Sequence, residues 1–279
     1  MPEDSRLVKA AEKTAREADR ISAAFARQLS SVMRDAERRI RDWLLISEPP
    51  SRTVQVRASQ ALAVRQQVRT RLREAGYADL LDVATGAALD RMAERVLAGR
   101  RIAKVAANLA PEAQLTLEAM RTIHLQDLLE EGEVITRAIT QAVTRGMLSR
   151  QAVTDILTEV AKMLDLSQAR VGTLYDTAVS IYGRQVEALA AGNDPETKFL
   201  YAGPVDERTR DFCLEIVGQV FTRAEIDDMD NGQLSSVYLT GGGFSCRHHW
   251  IEISQFSELQ ELAGTDRRVP EVAEQVQDL

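Results

Sequence analysis

With 279 residues, 44% of them apolar, the chain can bury a substantial core, and an aromatic content of only 5% suits helices packed on helices and argues against a β-sandwich. No apolar run approaches the roughly 20 residues that span a bilayer, and residues 1–20 are charged throughout without a signal-peptide core, so a soluble, cytosolically made protein with no membrane contact is expected. The net charge of −7 is unevenly divided: residues 1–110 carry 21 Lys and Arg against 14 Asp and Glu, and residues 111–279 carry 14 against 28. Such a division either solvates exposed helix faces or lets one end alone lie against nucleic acid or an acidic protein.

The first 47 residues repeat apolar side chains at helical spacing, through Leu7, Ala11, Ala18, Ile21, Phe25, Leu29, Val32, Ala36, Ile40 and Trp43, and Pro49 and Pro50 end the run. A helix of some 40 residues, about 60 Å long at 1.5 Å per residue, needs partner helices or another subunit to cover its stripe, and so reads as an arm with a capacity for self-association. Ala61, Val64, Val68 and Leu72 mark a second helix closing at Gly76. Leu80, Leu81, Ala84, Ala88, Met92 and Val96 mark a third closing at Gly99. Pro111 opens a fourth through Leu117, Met120, His124 and Leu128, running towards Leu148 with a bend expected at Gly132. His124 shares that stripe and reads as a packing residue. There is no fixed-period repeat, which argues against a solenoid.

Ala152, Ile156, Val160 and Leu164 predict a short helix, after which Ser167 is expected to cap a longer one bearing Val171, Leu174, Ala178, Ile181 and Leu189. The sequence from Gly192 to Pro195 stops it. Beyond this point the pattern changes to short β-forming stretches, KFLYAG, GQVFT and the alternating WIEIS. The expected fold is therefore mainly α, an elongated helical N-terminal region followed by a small α+β C-terminal module. Its divisions are a helical arm at 1–110, a connecting helix at 111–145, the module at 146–256 and a helical tail at 257–279.

The module holds both cysteines and two of the three histidines, in DERTRDFCLEIVGQVF and GGGFSCRHHW. In an extended segment, side chains alternate faces, so Cys246 and His248 point one way and Arg247 and His249 the other. If Cys213 packs against them, three soft donors suit tetrahedral zinc, with Asp206, Asp211, His249 or water as the fourth. Gly241 to Gly243 would permit the close backbone approach such a knuckle needs. Two buried thiols beside a surface histidine pair, or a Cys213–Cys246 disulfide, are the other states these residues allow. The stretch from Phe221 to Tyr238 is acidic and polar, so it is expected to bury little and to need its ends tied.

Enzyme chemistry finds little footing. A zinc deaminase requires His-x-Glu followed by Pro-Cys-x-x-Cys, and neither is present. A Cys–His nucleophile pair lacks a recognisable orienting group, and the glycine run is not followed by Gly-Lys-Ser/Thr. No helix-turn-helix or basic-aromatic pattern marks a dedicated DNA-binding protein.

Tyr201-x-Gly203-Pro204-x-Asp206-x-Arg208-Thr209-Arg210-x-Phe212-Cys213, then Gly218 and Phe221, then Gly242-Gly243-Phe244-x-Cys246-Arg247-His248-x-Trp250, follow a helix reading ARVGTLYDTAVSIYGRQ. In this order, over residues 146–256, with motifs at 201–221 and 241–250, the chain resembles the head morphogenesis domain of tailed-phage minor head proteins, the Mu F-like family. Many relatives carry Thr-Cys-x-x-Cys and His-x-x-Cys-Arg-Cys. Here Arg210 stands at the first of those cysteines, Gly243 at the first histidine and His248 at the last cysteine, which leaves Cys213, Cys246 and His248. The resemblance implies a non-enzymatic virion component at the portal or inner capsid, acting in head assembly or genome delivery. Its expected partners are the portal protein and other capsid or scaffold proteins, with weak DNA contact through residues 1–110. Asp206, Arg208, Thr209, Gly218, Gly242, Arg247 and Trp250 are the motif residues expected to shape the module. A DNA-binding ejection protein, or a zinc-dependent or Cys/His-dependent enzyme, are the alternative readings.

Overall fold

The computed structural model describes residues 3–46, 54–265 and 267–278, with the side chains of residues 54–61 left aside. The expected terminators Pro49 and Pro50 lie outside the described residues, as does the side chain of Ala61. Five long helices come first: α1 (Glu3–Ile46), α2 (Val54–Glu74), α3 (Tyr77–Ala103), α4 (Pro111–Leu148) and α5 (Val153–Ala191). The strands β1 (Lys198–Ala202), β2 (Val220–Thr222) and β3 (His249–Glu252) follow, interleaved with short helices α6 (Asp211–Ile216), α7 (Arg223–Asp227) and α8 (Val237–Thr240). A 3-10 turn at Glu258–Leu262 and α9 (Pro270–Gln277) close the chain. The architecture is mainly α with a small α+β module towards the C-terminus, as the sequence predicts.

Several helix ends differ from expectation. The third helix passes Gly99 and stops at Ala103, where Lys104 takes the left-handed conformation at φ 58°. Arg100, in the turn that was expected to be lost, is 1% exposed and held by two carboxylates, which keeps the helix going. Ser167 caps nothing: α5 is continuous, and the Ser167 hydroxyl donates back to the Met163 carbonyl at 2.7 Å. Gly132 lies inside an unbroken α4 and is explained by packing, since a Cβ there would come within 2.8 Å of the Tyr77 ring.

The chain forms two compact units. The first takes the chain up to Ser22, Gly86–Thr122 and everything from Leu174 onward; the second takes Ala23–Thr85 and Ile123–Thr173. Among its described residues, the second holds helices and no strand. Phe25, Leu29, Met33, Ala36, Ile40 and Leu44 from α1 are buried in it, as are Val64, Val68, Leu72, Leu128, Ile135, Ile139, Ile156 and Val160. The α1 stripe therefore runs to Met33 and Leu44, whereas Val32 and Trp43 are half-buried.

In the first unit, Leu7, Val8 and Ala11 share one apolar core with the sheet residues Phe199 to Ala202, with Trp250 and Ile251, and with Val269 and Val272. The buried residues of the α1 stripe are thus covered by side chains of this chain. The sheet has the order β2-β1-β3, both pairings antiparallel, and places Tyr201 opposite Trp250 and Ala202 opposite His249. The stretch from Phe221 to Tyr238 is less polar in effect than its composition suggests. Ile226, Val237 and Tyr238 are buried within it, and a reciprocal Thr222–Glu225 capping box starts α7.

Candidate metal centre

The two motif segments meet. Cys213 stands in the middle of α6, Cys246 and His248 lie in the turn that leads into β3, and their donor atoms all fall within 4.8 Å of one another. The sulfurs are 3.8 Å apart, and Cys246 Sγ is 4.0 Å from His248 Nδ1. Both cysteines are free thiols, and all three residues are 2–3% exposed. Two thiols and an imidazole are a donor set that tetrahedral zinc accepts, and the sulfur separation equals the edge of about 3.8 Å expected from Zn–S bonds of about 2.3 Å. These residues fit a metal ion.

The alternation predicted around Cys246 holds. His248 stacks on the Tyr201 ring, centroids 5.2 Å apart and planes 17° from parallel, on the same side as the cysteines. His249 points the other way, against α5, where a Cβ on Gly183 would lie 3.3 Å from its Cε1. It is therefore not the fourth donor. Asp206 is not one either: both its carboxylate oxygens are taken by Arg247, and the turn is fixed by Arg208 N–H donating to Asp206 at 2.9 Å and by Asp206 N–H donating to the Thr209 hydroxyl at 3.0 Å. Asp211, at the exposed start of α6, stands outside the cluster. The histidines are not a surface pair, since both are buried.

The remaining motif residues build the frame. Gly242 has no room for a side chain, because a Cβ would sit 2.3 Å from Cys213 Sγ. Gly218, at φ +82°, turns the chain so that its N–H donates to the Tyr201 carbonyl at 2.8 Å and its carbonyl accepts from Val269. Arg210 donates to the carbonyls of Gly242 and Phe244 and so ties the first motif to the second. Trp250 lies over Tyr201 at 4.4 Å between centroids, and its indole N–H donates to the Val237 carbonyl.

Two residues to which the sequence assigns no role at the cluster organise the centre. Arg184, from α5, is among the largest fully buried side chains and donates to the Cys246 carbonyl at 2.7 Å, to the His248 carbonyl at 2.8 and 3.1 Å, and to the Leu239 carbonyl at 3.4 Å. It is the single charge in the run TAVSIYGRQV, and that isolation is the signal that could have marked it. Tyr201 places its hydroxyl 3.4 Å from each sulfur. Burial raises this phenol well above its ordinary value, with the thiols adding to the shift. The contact with Cys213, reinforced by Arg184 and His248, draws Cys246 well below the usual thiol range, and the same contact together with burial pushes Cys213 up. Burial, and then Arg184, push His249 down to about 3, so it is neutral at physiological pH.

Comparison with protein-family models, with curated proteins and with solved structures returns no match. Among the described residues, no helix is long and apolar enough to cross a membrane.

Proposed function

We propose that the chain is a structural minor head protein of a tailed phage or prophage, seated at the portal or inner capsid and acting in head assembly or genome delivery. Its Cys213, Cys246 and His248 form a zinc-holding tie and carry out no reaction. What supports this is the interlocking of the two segments that carry the resemblance. The cysteine of the first meets the cysteine and histidine of the second, Asp206 grips Arg247, and Arg210 holds the glycine turn. Each of these contacts ties the first segment to the second. The thiols and the imidazole lie beneath the surface at 2–3% exposure, where a macromolecular substrate does not reach them, which disfavours the enzyme reading.

When bound, the metal would supply a cross-link between α6 and the turn before β3. Arg184 would hold the carbonyls of two of the donors in place, and the ring of Tyr201 would orient His248. The test of the assignment is position. DNA-filled particles from the host that encodes the chain should contain it by mass spectrometry, with cross-links to the portal ring. Its absence from mature and immature particles alike would overturn the reading.

A further inference from the structure

Tetrahedral zinc takes four donors, and the cluster of two thiols and an imidazole offers three. We propose that Tyr201 is the fourth donor, its phenolate oxygen completing a site of two thiolates, one imidazole and one phenolate; this rests on the reading of the cluster as a metal tie. Two separate observations lead there.

The first is distance. Tyr201 Oη lies 3.4 Å from Cys213 Sγ and 3.4 Å from Cys246 Sγ, while the sulfurs are 3.8 Å apart. With Zn–S about 2.3 Å and Zn–O about 2.0–2.2 Å, a tetrahedron has sulfur–sulfur edges of about 3.8 Å and sulfur–oxygen edges of about 3.5 Å. Oxygen and sulfurs thus already outline one face of the tetrahedron. His248, stacked on the Tyr201 ring with its Nδ1 4.0 Å from Cys246 Sγ, is the remaining donor beside them. The candidates suggested by sequence do not compete, since Asp206 is occupied by Arg247, Asp211 is exposed and His249 faces α5.

The second is charge. Arg184 is buried and donates only to main-chain carbonyls; no carboxylate pairs with it among the described residues. A buried cation needs a counter-charge. Two thiolates and a neutral imidazole only balance a divalent ion, which leaves Arg184 uncompensated. A third anionic donor gives the centre one net negative charge beside the guanidinium, and a water ligand does not. On coordination the phenolic O–H bond breaks, the oxygen keeps the electron pair for the metal and the proton leaves to solvent, so no oxidant or reductant is involved.

The experiment is a Zn²⁺ titration of the full-length, reduced, metal-free protein at neutral pH, followed by near-ultraviolet difference spectroscopy and by competition with a chromophoric chelator. The tyrosinate difference band should grow linearly and stop at one zinc per chain. Tyr201→Phe, which keeps the ring, should abolish the band and weaken zinc binding by about 10–100-fold or more, at least what losing a supporting residue costs. One zinc per chain bound by the parent protein with no tyrosinate band would overturn Tyr201 as a donor and leave the three-donor tie standing. Folded, reduced protein that takes up no zinc would overturn both. The parent protein alone decides these outcomes, so they survive a Tyr201→Phe variant that fails to fold.

Discussion

Replacing Arg184 by leucine removes the side chain that holds the second motif in place, and the expected loss can be worked out bond by bond. Four hydrogen bonds to three carbonyls disappear. A bond from a charged donor contributes about 1.5–3 kcal/mol net, and each buried carbonyl left without a donor costs about 1–3 kcal/mol. Against this stands the relief of no longer burying a guanidinium, so the sum is well below the simple total and falls at about 3–5 kcal/mol. Two of the three carbonyls belong to Cys246 and His248, so the damage should concentrate there. Hydrogen exchange read by mass spectrometry should show residues 241–252 losing protection first, alongside a lower urea midpoint. Arg184→Lys should recover only part, because one ammonium cannot span three carbonyls in the way the planar fork does. A leucine variant within about 1 kcal/mol of the parent, with unchanged exchange in this segment, would refute the account of Arg184 as a clamp.

Gly242→Ala should cost about 1–3 kcal/mol through overpacking, because its Cβ would fall 2.3 Å from Cys213 Sγ, and a shifted urea midpoint with faster thiol labelling of Cys213 would report it. Arg100→Met should destabilise the first unit by about 3–5 kcal/mol, since it strips the partner, at 2.6 Å in each case, from both Glu187 and Glu252; adding Glu187→Gln should restore part of that loss in the same unfolding assay. His249 is held near 3 in the fold against about 6.5 when unfolded, so its contribution is complete above about 6.5 and drains away as pH falls towards 3, at about 1.4 kcal/mol per pH unit. Glu187, raised to about 7 by burial against the pull of Arg100, slopes the opposite way between about 4.5 and 7. The His249 effect should therefore be read as the difference in pH-dependent stability between the parent and His249→Leu, and equal slopes would refute it.

Much of this was legible in the sequence, and the boundary has physical causes. Helix phase was readable because apolar side chains at 3.6-residue spacing have one way to be buried, which placed Phe25, Leu29, Val160 and Val171 correctly. The three strands were readable from their β-forming runs, and the turn at Gly192 from its neighbours. Helix ends were harder. Gly99 and Ser167 carry terminator signals in isolation, but buried Arg100 holds one helix together, and the Met163 carbonyl takes the Ser167 hydroxyl in the other. The convergence of Cys213, Cys246 and His248 was expected from types and alternation. The parts played by Arg184 and Tyr201 were not, because which charged or aromatic side chain reaches a site across the sequence depends on packing between distant elements. The Thr222–Glu225 capping box was in plain view, and reading it would have revealed that the stretch from Phe221 to Tyr238 is folded.

The core of the first unit also dictates when it can form. Leu7, Val8 and Ala11 share their core with Phe199, Ile251 and Val272, which follow far later in the chain. During synthesis the start of α1 must wait with its apolar face unmatched until the sheet and α9 emerge, while the second unit has its material once Thr173 has left the ribosome. Contacts of such long sequence separation close slowly, and in that interval the exposed stripe is the place where a chaperone or a second nascent chain would bind.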